Sequence, residues 1–482
     1  MADVRVSGRG KWLVAAALVV GILLMLTVAL ALAAPERSIP HGATNLSADP
    51  ALDSSFADVA VSPDGDRVVV VWPEEIEGLL LPRPRGSVWL RWASESAEGG
   101  WSAPLSVFAG AEQGCAVESA VAVTGTTAHV AYLIWIPCQD TTQSVISYTT
   151  CDMGGGNCGA ARTVTSAPFD ASAPGLSGVD MALDDGGDPH FVYTLFEGEI
   201  TATVYYSTGN LYLAERVSEE GKYNHSPAIA WSGGYVHVVW EDETEYEIVY
   251  RRRDGGGWGE IIPESILTRF KGDDEYRPRN PDVAAYGGQV MVTWDWEWPE
   301  MGADQYVVAY RRYLGGTGSW LDSIYEVGTQ AELVGEGLNP EAPGHAYTST
   351  KEFTFSEYTP FLRPTVALDG EGMPTVVWHV DRGTYDIMYT QALSVTETDI
   401  FVWSEPAVFN QNTQGHSASP VVALAPVISP SLHVAYLQRR VIEDEVDWET
   451  YYSSEEEGGI SDYPYAVFLP MTLRDFFAGG EK

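Results

Sequence analysis

Ser226-Pro227-Ala228-Ile229-Ala230, His237-Val238-Val239-Trp240 and Tyr250-Arg251-Arg252 follow one another within 27 residues. They read as a short apolar strand centred on alanine, a Gly233-Gly234 turn, a second apolar strand closed by an aromatic, and a third strand carrying another. Runs such as Val236 to Val239 and Val68 to Val71 are bounded by turn residues and rich in β-branched side chains, as expected of strands covered on both faces.

The same unit recurs seven times along the chain. Its alanines are Ala60, Ala122, Ala182, Ala230, Ala284, Ala367 and Ala423. The second-strand aromatics are Trp72, Tyr132, Tyr193, Trp240, Trp294, Trp378 and Tyr436, each ten to thirteen residues after its alanine. Third-strand aromatics follow at Trp92, Tyr148, Tyr206, Tyr250, Tyr310, Tyr389 and Tyr452, and Trp101, Trp258, Trp320 and Trp403 open a fourth strand in four repeats. No such unit can shield its own apolar faces, so the units must stack. A small residue at a fixed place in the first strand suits the crowded axis of a ring, and aromatics suit the wider gaps between sheets. The expected fold is all-β: a seven-bladed β-propeller of four-stranded antiparallel blades over residues 40–459.

The seventh unit runs out near Glu457 with three strands. Ala43-Thr44-Asn45-Leu46-Ser47 resembles the fourth-strand segment Ala103-Pro104-Leu105-Ser106. This N-terminal strand is therefore expected to complete the last blade and remove an exposed edge. The four cysteines, Cys115, Cys138, Cys151 and Cys158, fall within 44 residues. They lack zinc-site spacing and nearby histidines, which favours disulfides. On this layout Cys115 and Cys138 occupy two loops on one face of blade 2, and Cys151 and Cys158 flank the Gly154-Gly155-Gly156 hairpin on the other. The expected pairs are Cys115 with Cys138 and Cys151 with Cys158, each worth about 2–3 kcal/mol.

Acidic residues number 67 against 27 basic ones, a formal net charge of −40, and only five of the basic residues are lysines. Such a surface repels phosphate backbones and anionic lipid, which argues against nucleic acid as a partner. Arg5, Arg9 and Lys11 precede an uncharged run from Trp12 to Ala34. A basic start, an apolar stretch and small residues before Pro35 describe an export signal over residues 1–39. The run is also long enough to span a bilayer, so residues 12–34 could stay as an anchor. Either outcome places the remainder outside, secreted or on the cell surface. Residues 460–482 form a tail containing Leu469-Pro470, read either as a sorting or anchoring segment or as an ordinary tail. Membrane contact is expected only through these two ends.

The repeat resembles those of the sialidase-like propeller superfamily over about residues 43–459, best seen in the stretch quoted first. The resemblance implies the fold and leaves activity open, because such blades serve binding proteins as well as hydrolases. Sialidases of that class use three arginines, a Tyr assisted by Glu, and an Asp; none of these transfers residue by residue. Their aspartate box is incomplete here, the nearest approach being Asp254-Gly255-Gly256-Gly257-Trp258 without the leading serine. The Arg-Pro pairs at Arg277 and Arg363 lie in blades 5 and 6, whereas the family motif opens the propeller, so turn chemistry is their first reading.

A propeller usually binds ligands in its central funnel, lined by residues just ahead of the inner strands and by the loops between strands two and three. Residues four or five before the alanines include Phe56, Glu118, His225, Arg279, Asn280 and Arg363. The candidate ligand-binding residues are Glu118, His225, Arg277, Arg279 and Arg363. Guanidinium pairs can hold a carboxylate or anionic sugar, or can simply offset the surrounding acids. His129, His190, His237 and His433 recur at one repeat position and are expected to be structural. Acidic groups at Asp64 and Asp66 and at Asp184, Asp185 and Asp188 read as turn formers; calcium there has little support, and no other cofactor or metal is expected. Two insertions, residues 73–87 and 328–360, should sit on the funnel face, where long loops carry specificity.

The function expected on these grounds is recognition of a glycan, peptide or surface partner without catalysis. A sialidase-like glycoside hydrolase and a structural envelope protein are the alternatives.

Overall fold

The structure is a computed structural model that describes most of the chain between Thr44 and Glu455. Outside the described residues lie 1–43 and 456–482, the stretches 48–53, 76–85, 95–99, 262–265, 269–277, 298–304, 335–346, 349–362 and 411–415, and several shorter loop segments. The leader over 1–39 and the tail over 460–482 are thus not covered.

Seven antiparallel blades surround a common axis. Their innermost strands are Asp58–Val61, Cys115–Thr124, Gly175–Leu183, Asn224–Ser232, Pro278–Tyr286, Thr365–Leu368 and His416–Ala423. Each strand touches the innermost strand of the next blade, and the last touches the first. Every expected alanine lies on one of these strands in equivalent register: Ala60 faces Val69, Ala122 faces His129, Ala230 faces His237 and Ala423 faces His433. The ring is closed as expected. Thr44–Asn45 pairs with the third strand of blade 7, Glu445–Glu455, through Thr44 opposite Tyr452 and Asn45 opposite Tyr451. Leu46 beyond it is fully buried and donates its N–H to Thr450 O at 2.9 Å.

The core is divided into seven parts, one at each blade interface. Between blades 7 and 1, Leu46 and Tyr452 pack with Val68, Val70 and Trp72; between blades 4 and 5, Val239 and Tyr250 pack with Val292 and Trp294. The second-strand aromatics are all buried, at 0–2% exposure, which makes them the filling of these interfaces. This arrangement is the physical content of the stacking argument, since the apolar area of each sheet leaves water only against a neighbour.

Polar contacts at repeat-equivalent places tie blade to blade. Arg91, Arg251 and Arg311 each donate from Nε to a carbonyl on the outer edge of their own blade (Ser102, Gly259, Leu321). Each also donates from Nη1 to the outer edge of the preceding blade (Leu46, Val217, Ile266). On the inner strands Asp58, Asp180 and Asp282 sit two residues before their alanines in alternate blades. Their carboxylates accept the N–H of Val121, Ile229 and Val366 in the following blade at 2.7–2.8 Å. Burial, with the neighbouring Asp180 charge adding for the first and third, pushes Asp58 up to about 8, Asp180 to about 6 and Asp282 to about 7.

The histidine reading also finds its cause. The Nδ1 atoms of His129, His190, His237 and His433 share hydrogen bonds of 2.5–2.8 Å with the hydroxyls of Tyr148, Tyr206, Tyr250 and Tyr452. The outer-edge tryptophan of the next blade then meets the tyrosine ring edge-on: Trp258 on Tyr206, Trp320 on Tyr250 and Trp101 on Tyr452, with centroids 4.6–5.2 Å apart.

Four expectations need correction. Trp92 is not the blade 1 counterpart of Tyr250: Leu90 holds that place opposite Val71, and Trp92 lies two residues on, opposite Val69. An aliphatic side chain fills the same gap there. The second strands do not end at their aromatics but run on, for example to Asp242 and Glu297, because the third strand continues to pair with them. The insertion at 73–87 is partly strand, with Pro73 to Glu75 paired to Gly86 to Val88. The connection at 328–360 likewise contributes the short strands Glu332–Val334 and Tyr347–Thr348 to the sheet of blade 5.

Cys151 and Cys158 are joined across their hairpin. Cys115 is also disulfide-bonded, and its expected partner Cys138 lies outside the described residues.

Candidate functional site

The funnel mouth is shaped by one backbone device repeated around the ring. Just before the innermost strand turns regular, the register slips in blades 3, 4, 5 and 7, between Ser177 and Asp180, His225 and Ala228, Arg279 and Asp282, and Ala418 and Val421. The residue at the slip takes a left-handed conformation, Gly178 at φ 63°, Ser226 at 50°, Asn280 at 48° and Ser419 at 48°, and Arg363 at the equivalent place in blade 6 does so at 42°. Four of these are not glycine and each precedes a proline. Such bulges re-aim a side chain, and left-handed non-glycine residues cost of order 1 kcal/mol each. The Arg363-Pro364 pair, expected as turn chemistry, forms the same step in blade 6.

The second-strand extensions supply the other wall. The residue after the buried aromatic is Leu133 in blade 2 and Leu437 in blade 7, but Thr194, Glu241, Asp295 and His379 in blades 3 to 6. These four are buried, with Glu241 5% and Asp295 1% exposed. Polar side chains are therefore buried at this position in four consecutive blades.

Asn280 joins the two carboxyl groups. Its side-chain amide donates to Asp295 Oδ1 and Oδ2 at 3.1 and 3.4 Å, and its backbone N–H points to Glu241 Oε2 at 3.4 Å. Burial pushes the Asp295 carboxyl up to about 8, with the Glu241 charge adding, so it carries its proton at neutral pH. Burial also raises Glu241, opposed by the charges of His225 and Arg279. His225 lies 3.1 Å from Glu243 Oε2 and 3.8 Å from Glu241 Oε1. Burial pulls its imidazole down, but these acids outweigh that and leave it raised. In blade 6, burial and the Arg363 charge push His379 down to about 3, so it is neutral.

Of the expected site residues, the structure brings His225 and Arg279 to this cluster. Arg363 and Glu118 come from blades 6 and 2, and the Arg363 charge offsets part of the burial penalty on Glu118. Glu118 is also an inter-blade tie, accepting the Val179 N–H at 3.0 Å. Arg277 lies outside the described residues. Sequence reasoning missed Glu241, Asp295 and His379. The signal was available: three adjacent repeats place an ionisable residue directly after the second-strand aromatic, where the other repeats have Pro73, Leu133, Thr194 or Leu437.

Aromatic rings stand on the same face. Trp135 and Phe169 of blade 2 have centroids 5.3 Å apart, and Phe196 and Tyr223 from blades 3 and 4 lie 5.8 Å apart, with Tyr223 edge-on to His225. All four are half-buried.

The acidic turns have local roles. Asp64 Oδ1 accepts the Ser62 hydroxyl and the Asp66 N–H, and Asp184 Oδ1 accepts the N–H groups of Gly186 and Asp188. Among the described residues no group of three or more His, Cys, Asp or Glu side chains is placed to hold a metal ion.

The fold defines a seven-bladed β-propeller with a cluster of buried polar residues at one end of blades 3 to 6. No protein family and no curated protein matches the chain. Among solved structures, a protein of unknown function from Dyadobacter fermentans is similar at 10% identity, covering 86% of this chain and 98% of that one, with a TM-score of 0.43. A sialidase from Streptococcus pneumoniae is similar at 9% identity over 87% and 70%, TM-score 0.42. A polysaccharide lyase, an ulvan lyase, is similar at 12% over 69% and 79%, TM-score 0.41. These are likenesses of propeller architecture and carry no residue correspondence.

Proposed function

We propose that this protein is an exported, non-catalytic recognition module that binds a glycan in the polar sector of its funnel. The observation that carries the reading is Asn280, held in a left-handed bend and joining the buried Glu241 and Asp295 on the funnel wall. Planar amide, carboxyl and imidazole groups in a rigid frame suit the fixed hydroxyl directions of a sugar, and half-exposed aromatic faces suit its C–H surface. Export rests on the basic and apolar leader and on the cysteine pairing of an oxidising compartment. Calcium plays no part in this reading.

The test is a glycan array with the full chain, followed by titration with Asn280→Ala. Binding that falls at least about tenfold in the variant, with the melting temperature changed by only a few degrees, supports the reading. Turnover of a fluorogenic sialoside would replace it with a hydrolase.

A further inference from the structure

We infer that the protein is held on a bilayer by residues 12–34, with the hairpin ends of its blades facing the lipid and the funnel facing away. This orientation is independent of which ligand the funnel takes and rests only on the export reading.

Each blade has two ends. The funnel end carries the connection between strands two and three, and the opposite end carries the hairpins that join strand one to two and three to four. Both ends of the ring lie at the hairpin end of blade 7. Its third strand begins at the funnel end, with Glu445 opposite Ile442, and finishes at the hairpin end, with Glu455 opposite Leu432. The closing strand runs antiparallel to it, Thr44 opposite Tyr452 and Asn45 opposite Tyr451, so the chain enters this strand from the hairpin end.

The length of the link then favours one orientation. Nine residues, 35–43, separate the apolar run from Thr44, a reach of at most about 32 Å. Tyr452, the partner of Thr44, stands seven residues from Glu445, about 23 Å of strand from the funnel end. A funnel turned to the lipid would use most of that reach in running along the flank of blade 7. A funnel turned away asks for no extension and leaves the link its conformational freedom.

Side-chain character agrees. Among the described residues five large apolar side chains are exposed, and four of them, Leu213, Tyr235, Leu393 and Val395, lie at or beside the hairpin ends of blades 3, 4 and 6. The Arg252 guanidinium stands 4.4 Å from the Tyr235 ring centroid, a pairing of aromatic and cation suited to lipid headgroups. The turns Asp184 to Gly187 and Asp369 to Gly372 share this face, so it meets zwitterionic headgroups through water and does not insert.

The full chain would be reconstituted in phosphatidylcholine vesicles with an energy-transfer acceptor on the headgroups and a donor on one introduced cysteine at a time; no native cysteine among the described residues is free. Thr126→Cys and Glu371→Cys label exposed turns at the hairpin end, and Gln143→Cys and Glu245→Cys label exposed positions at the funnel end. Two positions at each end keep one poorly folding variant from deciding the result. The two sets stand about 30 Å apart along the strands, so with a transfer distance of that order the hairpin-end donors should transfer at least about twofold more efficiently. Equal transfer from both sets, or more from the funnel end, overturns the inference, and so does a chain that fails to float with the vesicles. None of these outcomes touches the export reading, for which protease is added to intact cells expressing the chain. Digestion is expected, whereas a chain protected inside overturns export and the orientation together.

Discussion

The outer half of each blade and the mouth of the funnel are built on the same sevenfold frame, yet they treat repeat-equivalent positions in opposite ways. At the periphery equal positions hold equal chemistry. Histidine meets tyrosine in four blades, tryptophan meets the preceding tyrosine ring, and Arg91, Arg251 and Arg311 each clamp their own and the previous outer edge. At the funnel mouth Glu118, Gly178, Ser226, Asn280, Arg363 and Ser419 share a repeat position and little else. Repetition marks what the ring needs to close. Divergence at one repeat position marks where closing the ring asks for no particular side chain, which is where the proposed glycan site lies.

The comparison can be broken most heavily at the seam. Deleting residues 43–50 removes the strand opposite Tyr451 and Tyr452, the burial of Leu46, worth about 1.5–3 kcal/mol alone, and the carbonyl that Arg91 grips. The melting temperature should fall by about 10 °C or more in a calorimetric scan.

Next is the acid ring of the inner strands. Asp58, Asp180 and Asp282 have folded pKa values near 8, 6 and 7, above the ordinary carboxylate value in the unfolded chain. The folded state therefore holds more protons. Their contribution is fully present below about pH 4 and is lost as pH rises through the folded values. The melting temperature should decline between about pH 5 and pH 9, by several degrees, and Asp58→Asn should flatten that decline. A profile that instead rises over this window in the wild type would refute the assignment.

A single peripheral contact should cost less. Tyr250→Phe removes the hydroxyl shared with His237 Nδ1, leaving a buried ring nitrogen without its partner at a cost of about 1–3 kcal/mol. The chain should melt a few degrees lower and bind glycan as before.

The smallest effect is expected at the mouth itself. Ser419→Gly at φ 48° relieves a left-handed serine but loosens the unfolded chain, so stability should change by less than about 1 kcal/mol in chemical denaturation. A large loss there would mean that the mouth, too, is structural.

Much of this contrast could be read before any coordinates. The alanine and aromatic spacing determined the number of blades, the identity of the inner strands and the segment that closes the ring, because each reflects a local steric demand met seven times over. The histidines were recognisable as structural from their recurrence alone. Blade 1 escaped this logic, since Leu90 replaces an aromatic with a side chain of the same function but a different residue class. Glu241, Asp295 and His379 escaped it because the second strands were ended at their aromatics, which hid the extensions that carry the site.

The linear order of residues, then, decided the architecture, through periodic burial that every repeat had to satisfy independently. Only the closed ring decided which unlike side chains meet: Asn280 with Asp295 and Glu241, and the carboxylate of Glu118 with the Val179 N–H of the next blade. Those neighbours are separated by 15 to 61 positions along the chain, and no local propensity encodes a distance set by the curvature of seven packed sheets.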